Sequence, residues 1–154
     1  MSGSPLRVVS LNEQQAEPVD VARWALLAEQ ALQAQGIGAG ECNLIFVDDQ
    51  AIAELNAAHR GKATATDVLS FPLDGAEAAT ADDLIGDIVI CPSVAATNAP
   101  DHRGQDGHHG TLDDELALLV VHGVLHLLGF DHVDDGEAEV MEAREQELLA
   151  ALYR

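Results

Sequence analysis

The sequence predicts one α/β domain, on the border of α+β, in which a mixed sheet of about four strands is packed by helices. Three observations predict it. Apolar runs of strand length alternate with helix-periodic segments along most of the chain. Two helical segments close it, the first of them apolar on every side. The 154 residues, 47% of them hydrophobic, supply one core and not two, and no repeat or linker divides them, so residues 1–154 are read as a single domain.

Residues Leu6–Ser10 are expected as the first strand. Glu17 and Pro18 open a helix, proline being suited to a first turn. Val21, Trp24, Ala28, Ala31 and Leu32 recur along it at helical spacing, and Gly36 closes it. Cys42–Val47 is an apolar run of strand length. Asp48 or Asp49 then caps a helix that turns Ile52 and Leu55 inward and ends near His59, before Gly61. Thr66–Phe71 is the third strand, stopped by Pro72. Residues 74–83 are acidic, alanine-rich and expected as an exposed excursion. Leu84–Cys91 is the fourth strand, and Gly86 within it signals a bulge or a close backbone approach. Ser93 is expected to cap a short helix towards Ala99, and Pro100–Gly110 reads as a flexible solvated loop, although its His102, His108 and His109 could bind metal. Thr111 caps the next helix, with Asp113, Asp114 and Glu115 at the positive end of its dipole. Asp134 and Asp135 begin the last one, with Met141, Leu148, Leu149 and Leu152 on its apolar side.

The chemistry is concentrated in ELALLVVHGVLHLLGFDH, residues 115–132. His122 and His126 are four residues apart, so on a helix they share one face, a turn apart. Gly129 is suited to end that helix in a left-handed conformation, after which His132 can return as a third ligand. Unpartnered imidazoles in so apolar a run would cost free energy, and a shared metal ion removes the difficulty. Three nitrogens with one open position is the donor set of a catalytic zinc; nickel, copper and iron also suit imidazole. Such an ion lowers the pKa of bound water towards about 7. Metzincin proteases share the spacing but need glutamate directly after the first histidine. Here that residue is Gly123, which disfavours a protease.

With 27 acidic residues against 7 basic, the formal charge of −20 repels free polyanions. The one basic cluster is Arg60 and Lys62, in HRGK. A guanidinium there can fork onto phosphate oxygens, although cations just past a helix end also serve the dipole alone. Asp131 could orient His132, and Asp67 could reach the same cleft, but each reads more simply as a local cap or a surface carboxylate. Cys42 and Cys91 form no CxxC pair and are expected as buried thiols in a reducing compartment. The N-terminus lacks the apolar region of a secretory signal, and no stretch is apolar enough to span a membrane, so a soluble cytoplasmic protein is expected.

HGVLHLLGFDH at 122–132 resembles the signature H-G-x-L-H-L-x-G-Y-D-H of the YbeY family of metal-dependent bacterial endoribonucleases. LNAAHRGKATATDVLSFP at 55–72, GDIVIC at 86–91 and the tail from Met141 to Leu149 agree with it. The resemblance implies one α/β domain with a three-histidine metal site in a cleft. It also implies a role in ribosomal RNA maturation, notably at the 3′ end of the small-subunit RNA, and in ribosome quality control. By position it puts the metal ligands at His122, His126 and His132 and the important arginine at Arg60. The chain departs at His59, where tyrosine is usual, at Ala63 for aspartate, at Ala65 for proline and at Phe130 for the signature tyrosine.

The leading expectation is a zinc-dependent, single-strand-specific endoribonuclease: His122, His126 and His132 hold the ion, and Arg60 and Lys62 bind the phosphate, Arg60 also stabilising the transition state. Either bound water or a ribose 2′-hydroxyl would attack. Ribosomal RNA, ribosomal particles and proteins on them are the expected partners; membrane and DNA are not. Two alternatives remain: a zinc peptidase or amidase, and a non-catalytic, metal-stabilised ribosome-associated factor, which the charge favours.

Overall fold

The computed structural model describes residues 5–154, and the reading of the first four residues lies outside it. Four strands form one mixed sheet: β1 (Leu6–Glu13), β2 (Gly40–Val47), β3 (Val68–Pro72) and β4 (Leu84–Ile90). Their spatial order is β1-β2-β4-β3. The first three in that order run parallel, and β3 joins antiparallel at the edge, Leu69 opposite Val89. The helices are α1 (Val21–Ala34), α2 (Asp49–Arg60), α3 (Pro92–Asn98), α4 (Leu112–Leu127) and α5 (Asp135–Leu152). The α/β expectation with a mixed four-stranded sheet holds.

Alternation along the strands sorts the two faces. Leu6, Cys42, Leu44, Phe46, Ile88 and Ile90 point into the main core, where α1 and α4 meet the sheet and α5 packs on those two helices. Val47, Leu69, Val89 and Cys91 point the other way, and Ile52 of α2 covers them. Helix α4 is the axle. Eleven of its sixteen residues are buried and only Asp113 is exposed, which is why its sequence shows no polar stripe. Gly123 lies where α4 crosses the sheet: a Cβ there would sit 2.7 Å from Ile88 Cγ2, so the absent side chain lets helix and strand close up. Trp24 is core, as its spacing implied, and packs against Tyr153.

Caps set most of the helix boundaries. Asp48, Thr111 and Asp134 accept hydrogen bonds from the amides of Ala51, Asp114 and Glu137. Helix α1 begins later than Pro18 signals, because Asp20 accepts from the Arg23 amide and the side-chain acceptor wins over the proline. Helix α3 is entered at Pro92 and not capped by Ser93: proline at the first helical position starts the helix one residue earlier and leaves Ser93 inside it. β1 continues past Ser10 to Glu13, and β3 starts at Val68. Gly86 does mark a register shift between β2 and β4. With φ +151° and a Cβ position 2.6 Å from the Phe71 carbonyl, that site takes glycine alone. The 74–83 excursion is only partly exposed, since Gly75 and Ala78 are buried and Gly75 lies against the last turn of α4. Both thiols are free and buried, and burial pushes Cys42 up to about 12 and Cys91 to about 11.

Candidate metal centre

The helix supplies two imidazoles and the turn after it supplies the third. At the end of α4 the Phe130 amide donates to the Leu125 carbonyl and the Gly129 amide to that of His126, around Gly129 at φ +97°. This paired closure reverses the chain and returns His132 to His122 and His126. Asp131 Oδ1 accepts from the His132 amide at 2.7 Å; it fixes the turn and not the ring. The ring centroids stand 4.6 Å apart for His122 and His126, 5.2 Å for His126 and His132, and 5.9 Å for His122 and His132. One nitrogen from each of the three lies within 4.8 Å of the others.

The protonation pattern suits a cation. Burial, and then the proximity of His122 and His132, push the His126 pKa below the ordinary imidazole value and keep its lone pair free at neutral pH. His122 Nδ1 is held in a short hydrogen bond by the carboxylate of Glu145, on α5. With Nδ1 donating to that carboxylate, Nε2 is the nitrogen left to act as an acceptor. Glu145 is almost sealed from solvent. Sequence reading missed it; the available signal was an acid among Met141, Leu148 and Leu149 on the inward side of α5.

A cleft of about 520 Å³ opens beside the three histidines. Arg60, His59, Thr66, Asp67, Ser70 and Asp131 also line it. Arg60 arrives from the last residue of α2, and Asn56 steadies the following loop by donating to the Thr64 carbonyl at 2.9 Å. Arg7, Arg23 and Arg144 are paired with carboxylates, whereas Arg60 has no ion pair among the described residues. The structure therefore brings Arg60 and the three histidines to one cavity. Lys62 is exposed in the loop beyond and is not part of the cleft lining. Gly123 faces the sheet, so a glutamate at this position would meet Ile88 instead of a substrate; the protease geometry is closed off.

Residues 100–110 are largely an exposed loop, as expected, but a second constellation draws His102 and His108 inward. Glu115, fully buried in the first turn of α4, accepts from His102 Nδ1 at 2.7 Å and His108 Nε2 at 3.0 Å, both through Oε1. His108 is itself buried. These three donor groups are close enough to hold an ion. The hydrogen bonds oppose it: His108 Nδ1 accepts from the Gly110 amide at 2.9 Å, so its proton must sit on Nε2, the nitrogen an ion would need. The group is a buried carboxylate tying down a loop. Glu115 Oε2 is buried without a protein partner, at the wall of a cavity of about 190 Å³ that His122 and Glu145 also line.

Comparison with known proteins agrees with this architecture. The family model of Endoribonuclease YbeY matches residues 10–153. An Endoribonuclease YbeY of Stutzerimonas stutzeri is 44% identical over 133 residues, covering 86% of this chain and 77% of that protein. One from Nocardioides is 40% identical over 147 residues, covering 92% and 94%. A solution structure of a Thermotoga maritima protein superposes with a TM-score of 0.57 at 28% identity, over 94% of this chain and 90% of that one. With the match running nearly end to end, the chain belongs to the YbeY family of endoribonucleases.

Proposed function

We propose that His122, His126 and His132 hold one divalent metal ion, zinc by donor set, and that Arg60 grips the phosphate of single-stranded RNA beside it. The chain is an endoribonuclease by family, a hydrolase acting in ribosomal RNA processing. The single observation that carries the site is the shared cleft: the one arginine at its wall and the three converging imidazoles face the same cavity. When bound, such an ion supplies Lewis acidity, polarising phosphoryl oxygens and acidifying water. Glu145 holds His122 in the tautomer that presents Nε2, and the depressed His126 pKa keeps that ring a ligand and not a cation. The Arg60 guanidinium can donate two parallel hydrogen bonds to a phosphate and stabilise the charge that builds on it. Lys62, outside the cleft, is assigned to a flanking phosphate. The small-subunit RNA 3′ end in assembling particles is the proposed substrate, and the cytoplasm the proposed compartment. Among the described residues no helix is long and apolar enough to cross a membrane.

The test is cleavage of a ribosomal RNA 3′-end precursor by zinc-loaded protein. His126→Ala should abolish metal binding and cleavage together. Arg60→Ala should keep the metal and lose about 10²–10³ in kcat, the usual cost of removing one donor to transition-state charge. Intact processing by Arg60→Ala would return the chain to the non-catalytic alternative. A 2′,3′-cyclic phosphate on the product would identify the ribose hydroxyl as nucleophile.

A further inference from the structure

A cleft that offers one guanidinium, on a chain of net charge −20, needs a source of affinity for RNA other than phosphate charge. Base stacking is such a source: it tolerates any sequence, because every base has a π face. Stacking requires a ring with open surface at the cleft. Trp24 and Phe46 are sealed in the core, Tyr153 lies against Trp24, and Phe130, although it also lines the cleft, is half-buried with its ring packed on the main core. His59 differs from all of them. It is exposed, it lines the metal cleft next to Arg60, and Phe71 braces its ring edge-on, with centroids 4.7 Å apart at 66°. Phe71 is itself packed on the outer-face cluster, so the brace has a fixed base.

We propose that His59 is the platform on which one base of single-stranded RNA stacks, adjacent to the phosphate that Arg60 holds; the proposal rests on the endoribonuclease reading above. It places recognition of single strands in the chain itself, because a base paired in a duplex has no free face to offer. The competing role for His59 is complementing the dipole at the C-terminal end of α2, where it sits in the last turn. The two roles demand different substitutes. Tyrosine keeps a ring and no cation; lysine keeps a cation and no ring.

The experiment measures steady-state cleavage of a short single-stranded RNA by the zinc-loaded full chain, as wild type and as His59→Ala, His59→Tyr and His59→Lys. Each is also given the same RNA with a single abasic nucleotide moved along the strand. His59→Ala should raise KM about tenfold and leave kcat within about twofold, the pattern of lost uniform binding. Tyrosine should restore KM and lysine should not. One abasic position should raise the wild-type KM about tenfold and leave that of His59→Ala unchanged. Restoration by lysine, or an alanine effect that adds to the abasic effect at every position, would overturn the stacking role while leaving the nuclease reading intact. Failure of the wild type to cleave at all would overturn both.

Discussion

A carboxylate against the outer nitrogen of an imidazole does three things for a metal site: it selects the tautomer, holds the ring plane and makes the inner nitrogen more basic. Glu145 is placed to do all three for His122, and its burial leaves the bond little competition from water. Substitution separates the effects. Glu145→Gln keeps an acceptor and loses the charge; Glu145→Ala loses both. We expect zinc affinity to fall about 10–100-fold in the alanine variant and less in the glutamine one, measured by competition with a chromogenic chelator. Circular dichroism should show the helices retained in both. Unchanged zinc affinity in Glu145→Ala would detach the residue from the site.

Helices α4 and α5 are fastened at both ends of their contact: His122 to Glu145 beside the histidine trio, and Asp114 to Tyr153 at the far end. Burial opposes ionisation of Asp114, but bonds from the Tyr153 hydroxyl and from the His109 amide and ring outweigh it and hold the pKa below the ordinary value of 3.8. A depressed carboxyl contributes stability above its unfolded pKa and loses it as the pH falls towards the native one. Tyr153→Phe should therefore cost about 1.5 kcal/mol at neutral pH, the low end for a hydrogen bond to a charged group. That cost should shrink below pH 3.8, where Asp114 begins to protonate. Urea midpoints of the two proteins near neutrality and in acid would show it; a difference independent of pH would assign the loss to packing. These fastenings were the part of the fold hardest to read in the sequence. The caps at Asp48, Thr111 and Asp134, the strands and the histidine trio were legible because each rests on neighbours within a few residues. Glu145 and Glu115 were harder to single out among 27 acids, since each carries only a faint mark, an acid on an apolar stretch, until packing buries it. His102 and His108 were hidden by a loop composition that reads as solvated. The clue was Glu115 itself, a charge at the start of an otherwise sealed helix and so in need of partners.

At the scale of the whole molecule the question is how so acidic a surface handles a polyanion. Of the seven cations, three are neutralised by carboxylates, and only Arg60 and Lys62 flank the cleft region without an ion pair among the described residues. Two cations on a single strand release few counterions, about 0.7 each in the slope of log affinity against log salt. Direct contact thus contributes at most about −1.4, roughly a sevenfold loss over a fourfold rise in salt. Repulsion from the remaining surface works in the opposite sense, because the same salt screens it. The measured slope for naked single-stranded RNA should therefore lie between about −1.4 and zero, with weak affinity throughout. Lys62→Ala should flatten it without abolishing cleavage, since that side chain stands outside the cleft. Assembled ribosomal particles, whose proteins can meet the acidic surface directly, should be cut better than the same RNA alone. Anisotropy titrations across a salt series decide the matter: a slope much steeper than −1.4, or nanomolar binding at physiological salt, would require a basic surface that this fold does not present.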